Sequence, residues 1–252
     1  MITDPWFYVL AVPAVILVGL SKGGLAGALA MLGVPMMSLA VPPIQAAGIL
    51  LPILIAMDIF ALWAYRRDWD GRNLKILVPP AVLGVAIAWY LVGLVSDAHV
   101  RLIVGIVALL FTLNYWFGSR TEDRSGVDAV RGGMWGMLAG FTSFISHAGG
   151  PPLQIYLLPQ RMTPRLYVGT SVVFFWVVNW IKVIPYAALG QLGAGNLMTS
   201  LVLAPLAPLS IFAAVKLVDR LDNAFYYAIT YLLLFAISIK LIWDGISGLI
   251  TA

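Results

Sequence analysis

The chain has 252 residues, of which 62% are hydrophobic and only 10% charged; a soluble domain carries roughly a quarter charged residues, so the balance is that of an integral membrane protein. The net charge of +4 is spread over short connectors rather than gathered in one stripe, which argues against a nucleic-acid partner. With no cysteine, disulfides, thiol catalysis and cysteine-ligated metals are excluded, and only two histidines, His99 and His147, argue against a histidine metal site.

Asp4, with no Lys or Arg ahead of the first apolar run, argues against a cleaved signal peptide, which needs a basic start. Apolar runs 6–20 and 25–40 flank Ser21-Lys22-Gly23-Gly24, and arms this short predict a glycine-broken helical hairpin over 6–40. Stretches 44–65, 74–95 and 99–117 are long enough to cross, since about 20 residues at ~1.5 Å each span ~30 Å of hydrocarbon. Connector 118–129, with Arg120, Glu122, Asp123, Arg124 and Asp128, is the longest polar stretch and the natural midpoint. Beyond it, runs 130–145 and 153–159 flank Ser146-His147-Ala148-Gly149-Gly150-Pro151-Pro152, a second predicted hairpin. Stretches 166–189, 197–217 and 223–243 are predicted spans. The expected fold is all-α and polytopic. Two repeats, 1–117 and 130–252, each consist of a glycine-broken hairpin plus three transmembrane helices, joined by a cytoplasmic connector over 118–129.

The halves align with one another. Asp58 through Tyr65 falls on Asn179 through Tyr186, Pro43 and Gly48 fall on Pro164 and Gly169, and with a small gap Pro79 falls on Pro205. Charge gives an independent test, because cytoplasmic connectors hold most Lys and Arg. Connectors 65–75, 118–131, 160–165 and 216–222 together hold 11 of the 15 cationic residues. They share one side only if each hairpin makes an even number of crossings. Three spanning helices then invert the second half, with both termini outside.

The breaks concentrate the candidate chemistry. Hydrocarbon has no water for backbone groups, so broken helices persist only where protein or a watery cavity covers them. Paired glycine breaks at matching positions point to a transporter's binding site, and their cations point to an anion. A mid-membrane lysine costs ~2.5–3.5 kcal/mol on insertion scales, which makes Lys22 a functional candidate; the alternative is a side chain snorkelling to headgroups. Lys22 is expected where a half-helix begins, with N–H groups and dipole favouring an anion and Gly23 and Gly24 admitting close approach. His147 occupies the corresponding break beside Gly149 and Gly150, able to add charge or donate a hydrogen bond; the alternative is a histidine satisfied by a carbonyl. Ser21 and Ser146 offer hydroxyls, and Gln154, Thr170 and Ser171 offer a polar shell, although such groups also serve as helix-packing glue. Asp58 and Asn179 sit at equivalent depths. Asp58 is a candidate proton carrier or counter-ion to Lys22 or Lys182, and Lys182, one turn from Asn179, either lines the route or snorkels outward past Tyr186. Pro151-Pro152 is expected to open the half-helix after the break. Trp6, Tyr8, Trp63, Tyr65, Trp69, Tyr115 and Trp116 read as interfacial belt.

Gly19-Leu20-Ser21-Lys22-Gly23-Gly24 with Val34-Pro35, the 146–152 motif with Tyr156-Leu157-Leu158-Pro159, and Val168-Gly169-Thr170-Ser171 with Asn179 resemble the sulfite exporter TauE/SafE family, also called the toluene-sulfonate uptake permease family. The resemblance covers nearly the whole chain, with shorter glycine runs than the family's usual triple glycine. It implies movement of sulfite, sulfonates or related organic anions across a bacterial inner membrane. The expected function is therefore ion-coupled secondary transport by alternating access, with protons the candidate ion. An anion channel of the same architecture and a membrane-embedded enzyme, for which Asp58 with His147 is the candidate pair, are the rival classes. No P-loop or nucleophile–base pairing supports ATP drive or catalysis, and no cofactor is expected. The expected partners are a small anionic substrate and membrane lipid, with a homo-oligomer compatible with the sequence.

Overall fold

Helix starts are written plainly in this chain. The side chains of Asp4, Asp70, Asp128 and Thr163 each accept from backbone N–H groups two or three residues on, and Pro follows at once after Asp4 and Thr163. An N-cap oxygen satisfies otherwise orphaned donors, and proline at the first helical position lacks an N–H to orphan. The computed structural model describes residues 1–24, 28–92, 94, 96–117 and 126–250. Residues 25–27 of the first break, and Arg120, Glu122, Asp123 and Arg124 of the midpoint connector, lie outside the described residues.

Eleven helices follow among the described residues: α1 (Pro5–Lys22), α2 (Gly33–Met37), α3 (Pro43–Ala64), α4 (Gly71–Tyr90), α5 (Asp97–Phe117), α6 (Ala129–Ser146), α7 (Gly150–Leu157), α8 (Pro164–Ala188), α9 (Ala194–Leu203), α10 (Leu206–Val218) and α11 (Asn223–Ile250). Short 3-10 turns at Ala28–Leu32 and Leu158–Gln160 extend the returning arms of the two hairpins. Six helices are long and apolar enough to cross a membrane: α1, α3, α4, α5, α8 and α11. Leu83, Ile103, Leu110, Leu201, Leu209 and Leu232 are exposed, the arrangement expected of side chains that face lipid. The protein is an all-helical, multi-pass membrane protein.

Two expectations need correction. Run 6–20 is not a short arm: α1 continues through Pro13 to Lys22, and its 18 residues suffice to cross. Each hairpin is therefore lopsided, an 18-residue first arm followed by a short return. Stretch 197–217 is not one straight span either. It breaks into α9 and α10, bent by 43°, where Pro205 removes a backbone donor and crowds the preceding turn. Pro79 and Pro80 leave α4 continuous.

Packing sets the site. Gly136 and Gly140 of α6 lie against Leu77 and Ala81 of α4, and Gly19 and Gly23 of α1 lie against Ser210 and Ala214 of α10. Both pairs run parallel, and the missing side chains let the backbones close. Helices α5 and α11 run antiparallel, with Gly105 on Ile242, Gly245 on Leu102, and Tyr115 stacked on Tyr231. Helices α3 and α8 cross antiparallel at the centre, carrying Asp58 and Asn179 to the same depth.

Candidate functional site

The first break is a helix end rather than a beginning. Lys22 is the last residue of α1, and Gly23 follows as its cap, donating to Gly19 O at 2.8 Å. The expectation of a half-helix N-terminus at Lys22 is thus corrected: its ammonium lies at the negative end of the α1 dipole, which favours a cation. His147 is placed alike, as the left-handed cap of α6 (φ 52°), with its backbone N–H on Ser143 O. Pro151 and Pro152 stand in the first turn of α7, as expected.

Two buried clusters grow from these caps. Lys22 Nζ pairs with Asp58 at 2.5 Å and reaches Leu54 O at 3.4 Å, and Asn179 Nδ2 donates to the other Asp58 oxygen at 2.7 Å. Asp58 is fully buried. Lys182, also fully buried, donates to Ser143 O at 3.2 Å, to Ser143 Oγ at 3.1 Å and to His147 Nδ1 at 2.8 Å. His147 Nε2 lies 3.1 Å from Ala47 O. A carbonyl accepts only, so Nε2 carries the hydrogen and Nδ1 is left to accept from Lys182; the hydrogen-bond pattern thus assigns a neutral imidazole. The snorkelling assignment of Lys182 is overturned, since α8 turns it inward, and its partners are neutral. The carbonyl-satisfied alternative for His147 describes its Nε2.

Ser21, Lys22, Gly24, Ser143, His147, Gly150, Gln154, Ser171, Asn179 and Lys182 line one cavity of about 50 Å³, together with Tyr167, Val168, Phe175 and Tyr226. That is room for roughly three to five waters. Its lining follows α8 from Tyr167 to Lys182, roughly 22 Å at helical rise. Ser21 Oγ accepts from Ala30 N at 3.0 Å, which ties the cavity wall to the returning arm.

Other candidates stand elsewhere. Thr170 does not line the cavity: its Oγ1 accepts from Asp70 N at 2.9 Å and donates to Leu166 O at 2.7 Å, holding the start of α4. Ser146 is turned away, its buried Oγ without a hydrogen-bond partner among the described residues, beside Arg101, Lys240 and Asp244. Gly149 is a packing position, where a side chain would meet Ala139 O and Phe175. Gly23 is likewise packed on α10, against Ala214 and Ile211 O. Among the described residues no cluster of His, Cys, Asp or Glu could hold a metal.

Ser143, Tyr167 and Tyr226 were missed by sequence reasoning. Ser143 precedes His147 by one helical turn, which puts both on one face; nothing in the sequence distinguishes the two tyrosines. Tyr65, expected in the interfacial belt, is instead buried and donates to Gly23 O at 2.7 Å, while Tyr226 donates to Gly24 O at 3.0 Å. Burial pushes the Tyr65 phenol upward, opposed by the Arg165 guanidinium, so the hydroxyl stays a donor. Gly24 needs its φ of +136°, a conformation other residues rarely adopt. Arg165, stacked over Tyr65 at 5.4 Å, bonds to Asp68 at 3.1 Å and pairs with Asp219. Through Tyr65 and its bond to Gly23 O, these contacts lie next to the Gly24 side of the cavity wall.

Comparison with known proteins places the chain. No curated protein and no solved structure matches it. The profile of the Sulfite exporter TauE/SafE family, a family of transporters, matches residues 11–241, nearly the whole chain and both glycine breaks. The chain belongs to the sulfite exporter TauE/SafE family.

Proposed function

We propose that the protein is a secondary transporter of small sulfur-containing anions, sulfite, sulfonates or related organic anions, in a bacterial inner membrane. One observation carries the reading: two ammonium groups, Lys22 and Lys182, line the cavity, and the carboxylate paired with them, Asp58 on Lys22, stands behind its wall. A buried charge without a counter-charge is costly, so the natural complement is an anion. Lys22 has two acceptors among the described residues, Asp58 and Leu54 O, which leaves a third N–H for a ligand. Lys182 supplies the uncompensated charge. Ser21, Ser171 and Gln154 offer further polar atoms for oxyanion oxygens.

Movement follows from the paired hairpins. In this reading the two repeats, 1–117 and 130–252, rock against one another, opening the cavity alternately to each side. Both termini and connector 190–193 face the periplasm, and the Arg-rich connectors face the cytoplasm. The partner exchange of α1 with α10 and α6 with α4, both parallel, supports inverted repeats. The deciding experiment is counterflow in proteoliposomes: load unlabelled sulfite or methanesulfonate and follow entrance of labelled anion. Saturable exchange without a large current is expected of a carrier. A current without exchange marks a channel, and no exchange for any sulfur anion by folded protein overturns the reading.

A further inference from the structure

We propose that the cavity is charge-matched to a monovalent oxyanion, and that a divalent one enters only together with one proton, taken up by Asp58. The proposal rests on the anion-transport reading and deepens it by naming the charge state of the cargo.

Few charges surround this largely apolar cavity. Asp58 is the sole ionisable residue of α3. The charged groups that face it are Lys22 from α1 and Lys182 from α8, with the neutral Asn179 amide on its second oxygen. Helices α2 and α9 carry no ionisable side chain, and α10 carries only Lys216, in its last turn. His147, at the end of α6, is fixed as a neutral acceptor of Lys182 by its bond to Ala47 O. Asp68, Asp219 and Asp244 lie away from the cavity, in ion pairs of their own with Arg165, Arg101 or Lys240. With Lys22 and Lys182 both as ammonium and Asp58 as carboxylate, the site carries one excess positive charge.

A sulfonate or hydrogen sulfite, each singly charged, brings the site to neutrality with every group as it stands. Sulfate or sulfite dianion leaves one excess negative charge in apolar surroundings, where burying it is costly. The nearest remedy is at Asp58. A proton from solvent bonds to the carboxylate oxygen that faces Lys22, the ion pair becomes a neutral acid beside an ammonium, and Lys22 turns its freed N–H to the second anionic oxygen. Asn179 stays on the other carboxyl oxygen throughout. Sulfite can hold the proton itself, as hydrogen sulfite, whereas sulfate is too weak a base; with sulfate the proton goes to Asp58, since no other carboxylate touches the cavity cations among the described residues.

The test is titration calorimetry of the purified, detergent-solubilised protein with methanesulfonate and with sulfate, each in two buffers of different ionisation enthalpy. Methanesulfonate is expected to bind with about zero protons taken up and an affinity flat with pH. Sulfate is expected to take up about one proton and to lose about tenfold in affinity per pH unit toward alkaline pH. Equal proton uptake for the two anions overturns the proposal, as does failure of both to bind. Asp58→Asn is expected to abolish the uptake and the pH dependence for sulfate; should that variant not fold, the wild-type proton count still decides. Binding with the expected counts but no counterflow would remove the transport reading and leave the charge rule standing.

Discussion

Asn179 donates to Asp58 across 2.7 Å at the centre of the molecule, although 121 residues separate them. These are the positions that align when the two halves of the sequence are superimposed. In the proposed inverted-repeat arrangement, equivalent positions meet one another only near a two-fold axis, and such an axis would account for neighbouring contacts as well. Gly140 on Ala81 in α6 and α4 and Gly19 on Ser210 in α1 and α10 are both parallel glycine contacts, with the halves exchanged. Gly48 against Gln191 at one end of α3 and α8 has its counterpart in Gly169 against Asp68 at the other.

An axis of this kind lying in the membrane plane fixes sidedness. Because the chain has no cysteine, single cysteines report it without background. Thr3→Cys and Gly193→Cys, at exposed positions, are expected to react with a membrane-impermeant maleimide on intact cells. Arg67→Cys and Gly126→Cys, also exposed, are expected to react only after permeabilisation. The reverse pattern would invert the orientation, and labelling of all four on intact cells would reject it.

The two lysines should separate by mutation. Lys22→Met strands Asp58 as a buried carboxylate, and breaking one side of such a pair costs about 3–5 kcal/mol. Adding Asp58→Leu should restore most of that stability. Lys182→Met removes a charge that has only neutral partners, so stability is expected to stay within about 2 kcal/mol of wild type. Its three N–H groups are spent on Ser143 and His147, so what the anion loses is the charge alone. Affinity should fall roughly 10- to 100-fold, the worth of a charge about 6–12 Å away at an effective dielectric near 20. Thermal melts with calorimetric titration check both; equal stability losses for the two single variants would contradict the assignment.

Composition and glycine spacing reached the class, the paired breaks and half of the residues that line the cavity, because hydrocarbon leaves so few ways to tolerate a broken helix. Direction was harder. Lys22 beside glycines looked like the start of a half-helix, but α1 runs through Pro13 and ends on that lysine. The spacing of Asn179 and Lys182 put them on one face of α8 without saying which face turned inward. Tyr65 at a span end fits the belt rule, and only tertiary packing under Arg165 buries it. Pro79 and Pro205 align, yet one helix absorbs the proline and the other bends by 43°.

Arg165 joins Asp68, Asp219 and the face of Tyr65 next to the Gly24 side of the cavity, and we propose that this cluster limits access there. These side chains are partly exposed, so their net contribution to stability is small, about 0–1 kcal/mol per pair. Their effect should appear in access instead. A Ser171→Cys reporter in the cavity wall is expected to label slowly with a thiol reagent in inside-out vesicles. Arg165→Ala should speed that labelling several-fold, and bound methanesulfonate should slow it. An unchanged rate would remove the closing role of Arg165.

Close helix packing makes the last prediction. A Cβ at Gly140 strikes the backbone carbonyl of Ala81, which no side-chain change can move aside. At Gly19 the obstacle is the side chain of Ser210. Gly140→Ala and Gly19→Ala should each destabilise by about 1–3 kcal/mol, the usual cost of overpacking. Ser210→Gly removes both hard contacts at Gly19, leaving only the flexible end of Met57 at 3.1 Å, so Gly19→Ala with Ser210→Gly should recover most of the loss, whereas Ala81→Gly should rescue Gly140→Ala little. Thermal melts of the four variants decide the point. Equal rescue at both sites would mean that α4 and α6 can move apart as freely as a side chain can be trimmed, and that the parallel pair is not held by backbone contact.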